Sequence, residues 1–183
     1  MNLASQADAV QRHALARSGF AADLAVTMLH IGRSESVVVS GRADESPLIV
    51  GVALGSASTG RALLRHDPPT PLELEQAIDR VEGEVMPLAR RLPRASTLVA
   101  SGEAIQAIAR AAAKTGQSSL ALDEVERLFQ QLAAVAQGRP ASSSGLPPGA
   151  DFAATLLILR EFMHHLGFEA ILVGRELDNS RVG

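Results

Sequence analysis

Three short β-rich runs in close succession, Leu24–Ile31, Ser36–Ser40 and Leu48–Leu54, constrain this chain more than any other feature. Each is partly β-branched and bounded by Gly, Ser, Asp or Pro. The connectors between them are too short for a crossover helix, so the runs pair antiparallel as a three-strand meander. A chain that opens this way and then turns helical builds a sheet with helices laid on it.

The helical part has its own punctuation. Thr70-Pro71-Leu72-Glu73 supplies an N-cap, a proline at the first helical position and a capping-box glutamate. Leu74, Ile78, Val81, Val85 and Leu88 continue at helical spacing, with Gly83 weakening the helix and Pro87 bending it. Ser96–Ala100 reads as a strand, and Ser101 as the cap of a helix carrying Ile105, Ile108 and Ala112. Asp123-Glu124-Val125-Glu126 opens another helix, with Leu128, Leu132 and Val135 inward. Asp151–Leu166 is apolar on most sides and predicts a buried helix ended by Gly167, before a last strand at Glu169–Val173. Ahead of the meander, Leu3 to Ser18 reads as an amphipathic helix with Leu3, Ala7, Val10 and Ala14 on one side. The order α-β-β-β-α-β-α-α-α-β describes a single α/β domain, 1–183, with a mixed sheet. The stretch Gln137–Gly149, rich in Gly, Pro and Ser, is a long loop inside it.

Composition narrows the function classes. The core is aliphatic: 46% of the 183 residues are hydrophobic, yet there is no Trp or Tyr and only five Phe. A net charge of −3 without a basic tract argues against nucleic-acid binding, which needs clustered Lys and Arg. The absence of cysteine excludes disulfides, thiolate nucleophiles and Cys-ligated zinc. No signal pattern and no membrane-length apolar run is present, so a cytoplasmic protein without a membrane partner is expected.

The chemistry concentrates at the turn between the first two runs, His30-Ile31-Gly32-Arg33-Ser34-Glu35-Ser36. It has the frame of a phosphate loop, in which glycines let backbone amides close on an oxyanion while a carboxylate holds a metal or water. Only Gly32 survives of the glycines, and His30 stands where a carboxylate would serve. Arg33 is a candidate anion-binding cation opposed by Glu35 two residues on, and both read as solvated turn residues. Asp151 reads as an N-cap. Glu103 complements a helix dipole at the place where an anion would otherwise sit. His164 and His165, adjacent on a helix, face different directions and read as ordinary helix residues rather than joint metal ligands. Ser142-Ser143-Ser144 lies in a loop without a partnered base.

Four of these places resemble the second lobe of the exopolyphosphatase and guanosine pentaphosphate phosphohydrolase (Ppx/GppA) family. The family's loop D-x-G-G-G-S-T aligns with His30–Ser36, and its "LG…DPPT" passage with Leu54-Gly55 and Asp67-Pro68-Pro69-Thr70. Its G-T-G-G-T turn aligns with Ala100-Ser101-Gly102-Glu103-Ala104, and its L-x-P-x-R-A-D helix start with Leu146, Pro147, Gly149, Ala150 and Asp151. The tail Ser180–Gly183 echoes an L-R-E-G turn. The resemblance implies a ribonuclease-H-like, actin-like ATPase lobe and phosphoanhydride chemistry. It also implies that much of the equipment is gone. The family's catalytic glutamate aligns with Ala7, next to Asp8, and its metal-associated aspartate with His30. Two loop glycines are Arg33 and Ser34, the helix-start arginine is Gly149, and the partner lobe is not expected in this chain.

Hydrolysis needs held phosphates, neutralised charge and a positioned base. The expectation is therefore a catalytically degenerate binding or assembly module, without metal or cofactor, forming a homodimer or a complex with another protein through the face that would meet the missing lobe. The alternative is a phosphatase for polyphosphate, a guanosine polyphosphate or a nucleotide, with magnesium in a site rebuilt from Asp8, Glu35 or Asp151. A third reading is a non-hydrolysing sensor of an anionic metabolite using Arg33, with Arg61 or Arg65 as further cations.

Overall fold

The computed structural model describes residues 13, 19–93, 95–112 and 118–174. The expected N-terminal helix, Asp8 and the tail from Ser180 lie outside the described residues.

The meander forms as its β-branched runs and short turns require. Strands β1 (Val26–Ile31), β2 (Ser36–Gly41) and β3 (Leu48–Val52) pair antiparallel in register, with Ile31 opposite Ser36 and Ser36 opposite Val52. Strand β4 (Thr97–Ser101) then joins β1 in parallel, placing Ser101 beside His30. Strand β6 (Ala170–Val173) runs parallel to β4, and β5 (Ser119–Ala121) closes the edge antiparallel to β6. The order is β3-β2-β1-β4-β6-β5, one mixed six-stranded sheet. A mixed sheet behind an antiparallel meander was the expected fold class.

Five α-helices are described: α1 (Ser56–Leu63), α2 (Pro71–Val85), α3 (Glu103–Ala111), α4 (Leu122–Ala136) and α5 (Ala150–Leu166). Helix α5 is the hub. Phe152, Leu156, Leu157, Ile158, Leu159 and Phe162 are all buried in it, and it packs against α1, α2, α3 and α4. Its neighbours meet the sheet through Leu29, Val38, Leu98 and Ile171, in one aliphatic core. Met28 and Val39 point to the opposite face of the sheet and are buried there with Val37 and Ile49.

Helix α2 starts as the sequence dictates. Glu73 N–H donates to Thr70 Oγ1, and Thr70 N–H donates to Glu73 Oε2 at 2.8 Å, the two halves of a capping box. His66 Nδ1 lies 2.8 Å from Glu73 Oε1, and Arg65 N–H donates to the same oxygen. The Thr70 amide, then the His66 contact, hold the Glu73 carboxyl down to about 2. A lowered folded-state pKa stabilises above the unfolded value and ceases to do so as the carboxylate takes up its proton. Glu73→Gln is therefore expected to be less stable than the parent at neutral pH. The difference should shrink as pH falls from 4.5 towards 2, which urea titrations across that range would measure.

Several sequence expectations need correction. Pro87 does more than bend its helix: α2 ends at Val85 and the chain continues as a 3-10 turn, Met86–Arg90. Helix α1 was not foreseen, because Ser-Ala-Ser-Thr-Gly has no apolar period. Its Gly60 instead lets α1 close on α5, where an added Cβ would lie 3.0 Å from the Ala150 carbonyl carbon. Strand β5 was missed for a different reason: its partner β6 lies far along the sequence, so no local pattern encodes the pairing. Ser101 does not cap α3. The N-cap is Gly102, at φ 118°, with no side-chain cap bond.

Candidate functional site

The parallel strands β1, β4 and β6 end on the same edge of the sheet, the edge where α/β proteins gather ligand sites. The predicted turn closes β1 there. Gly32 N–H donates to the Glu35 carbonyl at 3.1 Å, and the Ser36 hydroxyl donates to Leu54 O at 2.6 Å, fixing the turn against the chain leaving β3. A Cβ on Gly32 would sit 2.6 Å from Glu35 O, so this position admits glycine alone.

Helix α1 grips the outer side of the turn. Ser56 N–H donates to Gly32 O at 2.9 Å, while the Ala57 and Ser58 amides donate to Arg33 O at 2.9 and 3.0 Å. The Ser58 hydroxyl donates to Ser34 O at 2.7 Å. Donors that a helix start leaves orphaned are thus satisfied by the turn's own carbonyls. Close approach at Gly55 makes this possible: a Cβ there would lie 2.4 Å from the Ser34 carbonyl carbon.

This grip has a stereochemical consequence. In a planar trans peptide the C=O and N–H point in opposite directions. With the carbonyls of Gly32, Arg33 and Ser34 turned to α1, the following amides of Arg33, Ser34 and Glu35 are turned away from it. They form no hydrogen bond among the described residues. Turn amides left free in this way are donors that an oxyanion can take.

The other predicted residues gather around this turn to different degrees. An added Cβ on Gly102 would lie 3.9 Å from the His30 ring, so the second turn, Ser101–Glu103, adjoins the first. Glu103 opens α3, where it complements the dipole as expected. Asp151 is not an N-cap. Gly149 holds that position at φ 105°, Asp151 is the second residue of α5, and its carboxylate lies 3.5 Å from Arg33 Nη1. That pair is exposed on both sides, 79% for Arg33 and 50% for Asp151, and is worth roughly 0–1 kcal/mol. Arg33 therefore faces Asp151 across the turn. Ser143 and Ser144 donate to the carbonyls of Pro140 and Ala141 inside the 3-10 turn Ala141–Ser143, with no base beside them. A mostly apolar cavity of about 280 Å³ behind that turn, between Pro68, Leu132 and Pro147, holds no catalytic constellation.

One further group of charged side chains joins two helices. His165 Nε2 lies 3.2 Å from Glu82 Oε1 of α2 and 3.2 Å from Glu161 Oε2. Glu161 itself is fully buried, and its other oxygen accepts from Arg160 Nη1. Arg160 Nε in turn reaches both Glu126 oxygens at 3.0 Å, and its guanidinium sits 4.6 Å from the centre of the Phe129 ring. The Glu161-x-x-x-His165 spacing carried the signal, since residues four apart share a helix face.

No protein-family model matches the sequence, and no curated protein matches it. Solved structures do. The Aquifex aeolicus Ppx/GppA phosphatase, type II variant, superposes with a TM-score of 0.69 at 15% identity, over 88% of this chain and 56% of that one. A second structure, described as the Aquifex aeolicus PPX-GPPA enzyme, gives 0.65 at 14% identity over 82% and 53%. An exopolyphosphatase from Cytophaga hutchinsonii gives 0.63 at 15% identity over 84% and 54%. The fold is that of a Ppx/GppA domain. The chain spans about half the length of each of these proteins, and at this identity the likeness establishes architecture. No described helix is long and apolar enough to cross a membrane.

Proposed function

We propose that this chain is a phosphate-recognising domain of exopolyphosphatase fold that binds a polyphosphate-type anion without hydrolysing it unaided. The observation that carries this reading is the run of three exposed amides, Arg33 to Glu35, which make no hydrogen bond among the described residues, on a turn that also bears the exposed Arg33 side chain. Exposed turn amides can take a terminal phosphate, and an arginine on the same turn adds a charge-assisted bond. Asp151 occupies that arginine only weakly, so an anion of higher charge displaces it.

The residues do not fit the magnesium ion that the fold's phosphatases suggest. Magnesium takes one or two carboxylates together with waters and phosphate oxygens. Here the strand-end position is His30, Asp151 faces Arg33, and no three metal-ligating side chains converge at this edge among the described residues. Of the other readings, assembly rests on fold likeness alone: among the described residues the exposed large apolar side chains are Leu24, Leu72 and Met86, on separate parts of the chain.

Tripolyphosphate is the test ligand. Calorimetry is expected to show binding without phosphate release. Arg33→Ala should weaken it about tenfold, the worth of one hydrogen bond to a charged group. Asp151→Asn should tighten it by freeing Arg33. Phosphate release that Asp151→Asn abolishes would establish the phosphatase reading instead, and absence of binding at millimolar ligand would defeat both.

A further inference from the structure

We propose that Glu82, Glu161 and His165 form a binding site for a divalent transition-metal ion of the zinc class, clamping α2 to α5. The three ligating atoms lie within 4.8 Å of one another. Two of the edges, His165 Nε2 to Glu82 Oε1 and to Glu161 Oε2, measure 3.2 Å. Ligands bonded tetrahedrally at about 2.0–2.1 Å stand roughly 3.3 Å apart, so these two edges match a zinc centre.

A second observation also points to a ligand. Glu161 Oε2 and His165 Nε2 are both buried and neither makes a hydrogen bond, their contacts with each other and with Glu82 being close approaches at 3.2 Å without hydrogen-bond geometry. The fully buried Glu161 side chain thus presents one oxygen, held by Arg160, to the protein and leaves the second aimed at His165 and Glu82. A buried carboxylate oxygen without a donor costs free energy unless something positive satisfies it. A divalent cation would do so, and it would also relieve the repulsion between the two facing carboxylates. The imidazole favours zinc, or another metal that takes nitrogen, over magnesium or calcium. Glu82 and His165 keep 35% and 21% of their side chains exposed, which gives the ion a path in and leaves a fourth position for water.

This site is independent of the phosphate turn. Glu161 lies ten residues along α5 from Asp151, about 15 Å at helical rise. Its role is structural: it ties the C-terminal halves of α2 and α5, the hub helix, by a bond neither helix supplies alone.

The test uses the full chain stripped with chelator and titrated with Zn(II), and with Co(II) as a spectroscopic probe. One equivalent should bind at micromolar concentration or tighter, raise the melting temperature, and give Co(II) d–d bands of a low-coordinate nitrogen and oxygen site. Glu82→Gln and His165→Gln, at partly exposed positions, should fold and lose affinity by an order of magnitude or more. His66→Gln should bind as the parent does. Saturating Co(II) without d–d bands, or affinity unchanged in both site variants, would overturn the proposal. Glu161→Gln is the more severe variant, and the other two keep the test valid if it fails to fold.

Discussion

Gly55→Ala is expected to lower the unfolding free energy by about 3 kcal/mol, the upper end of overpacking costs. It should also abolish tripolyphosphate binding. The new methyl group would meet backbone: the Ser34 carbonyl carbon at 2.4 Å, and the Arg33 carbonyl oxygen and carbon at 2.6 and 2.7 Å. No side chain can swing away to relieve this, so the whole turn must withdraw from α1. Withdrawal breaks the Gly32 and Arg33 carbonyl contacts to Ser56, Ala57 and Ser58, and with them the orientation of the outward amides. Gly55 itself has φ −138°, so the effect is steric and not conformational. Gly83→Ala in α2 is the control. Nothing lies within 4 Å of its added Cβ, and it should raise stability by about 0.5–1 kcal/mol through helix propensity. Thermal or urea unfolding of the pair, with calorimetry, reads both effects. A Gly55→Ala protein that binds tripolyphosphate normally would show that α1 does not set the turn.

Arg160→Met is expected to destabilise by about 3–5 kcal/mol at neutral pH, the cost of leaving a buried charge without its partner. Glu161 is fully buried, and burial already pushes its carboxyl above the ordinary range, with Arg160 opposing that push. Removing the guanidinium also forfeits the two bonds to Glu126 and the contact with the Phe129 ring. The double variant Arg160→Met/Glu161→Met should recover most of the loss, because replacing both partners with apolar groups removes the stranded charge. Urea unfolding of both singles and the double forms the cycle. Additive losses would show that Arg160 and Glu161 are not coupled.

Much of the scaffold was legible because its signals are local. The Thr70–Glu73 capping box appeared as written, and so did the all-round apolar character of Phe152 to Phe162, which marked α5 as buried. Two elements escaped. Helix α1 is made of small polar residues whose reason for being helical is the surface they offer to α5 and to the turn. The three-residue strand β5 exists through pairing with β6. The site divided in the same way. His30, Gly32, Arg33 and Glu35 were found as neighbours in sequence, but the partner of Arg33 was not, since Asp151 is brought to it by the packing of α1 on α5.

The order of residues alone settled the meander and the Thr70–Glu73 helix start, because each depends on side chains within a few positions of one another. Tertiary structure alone decided which way the turn's amides face and which helices bring Glu82 to His165. Those outcomes depend on the close approach of segments far apart in the chain, at Gly55 for the turn and in the packing of α2 on α5 for Glu82 and His165, and not on any local propensity.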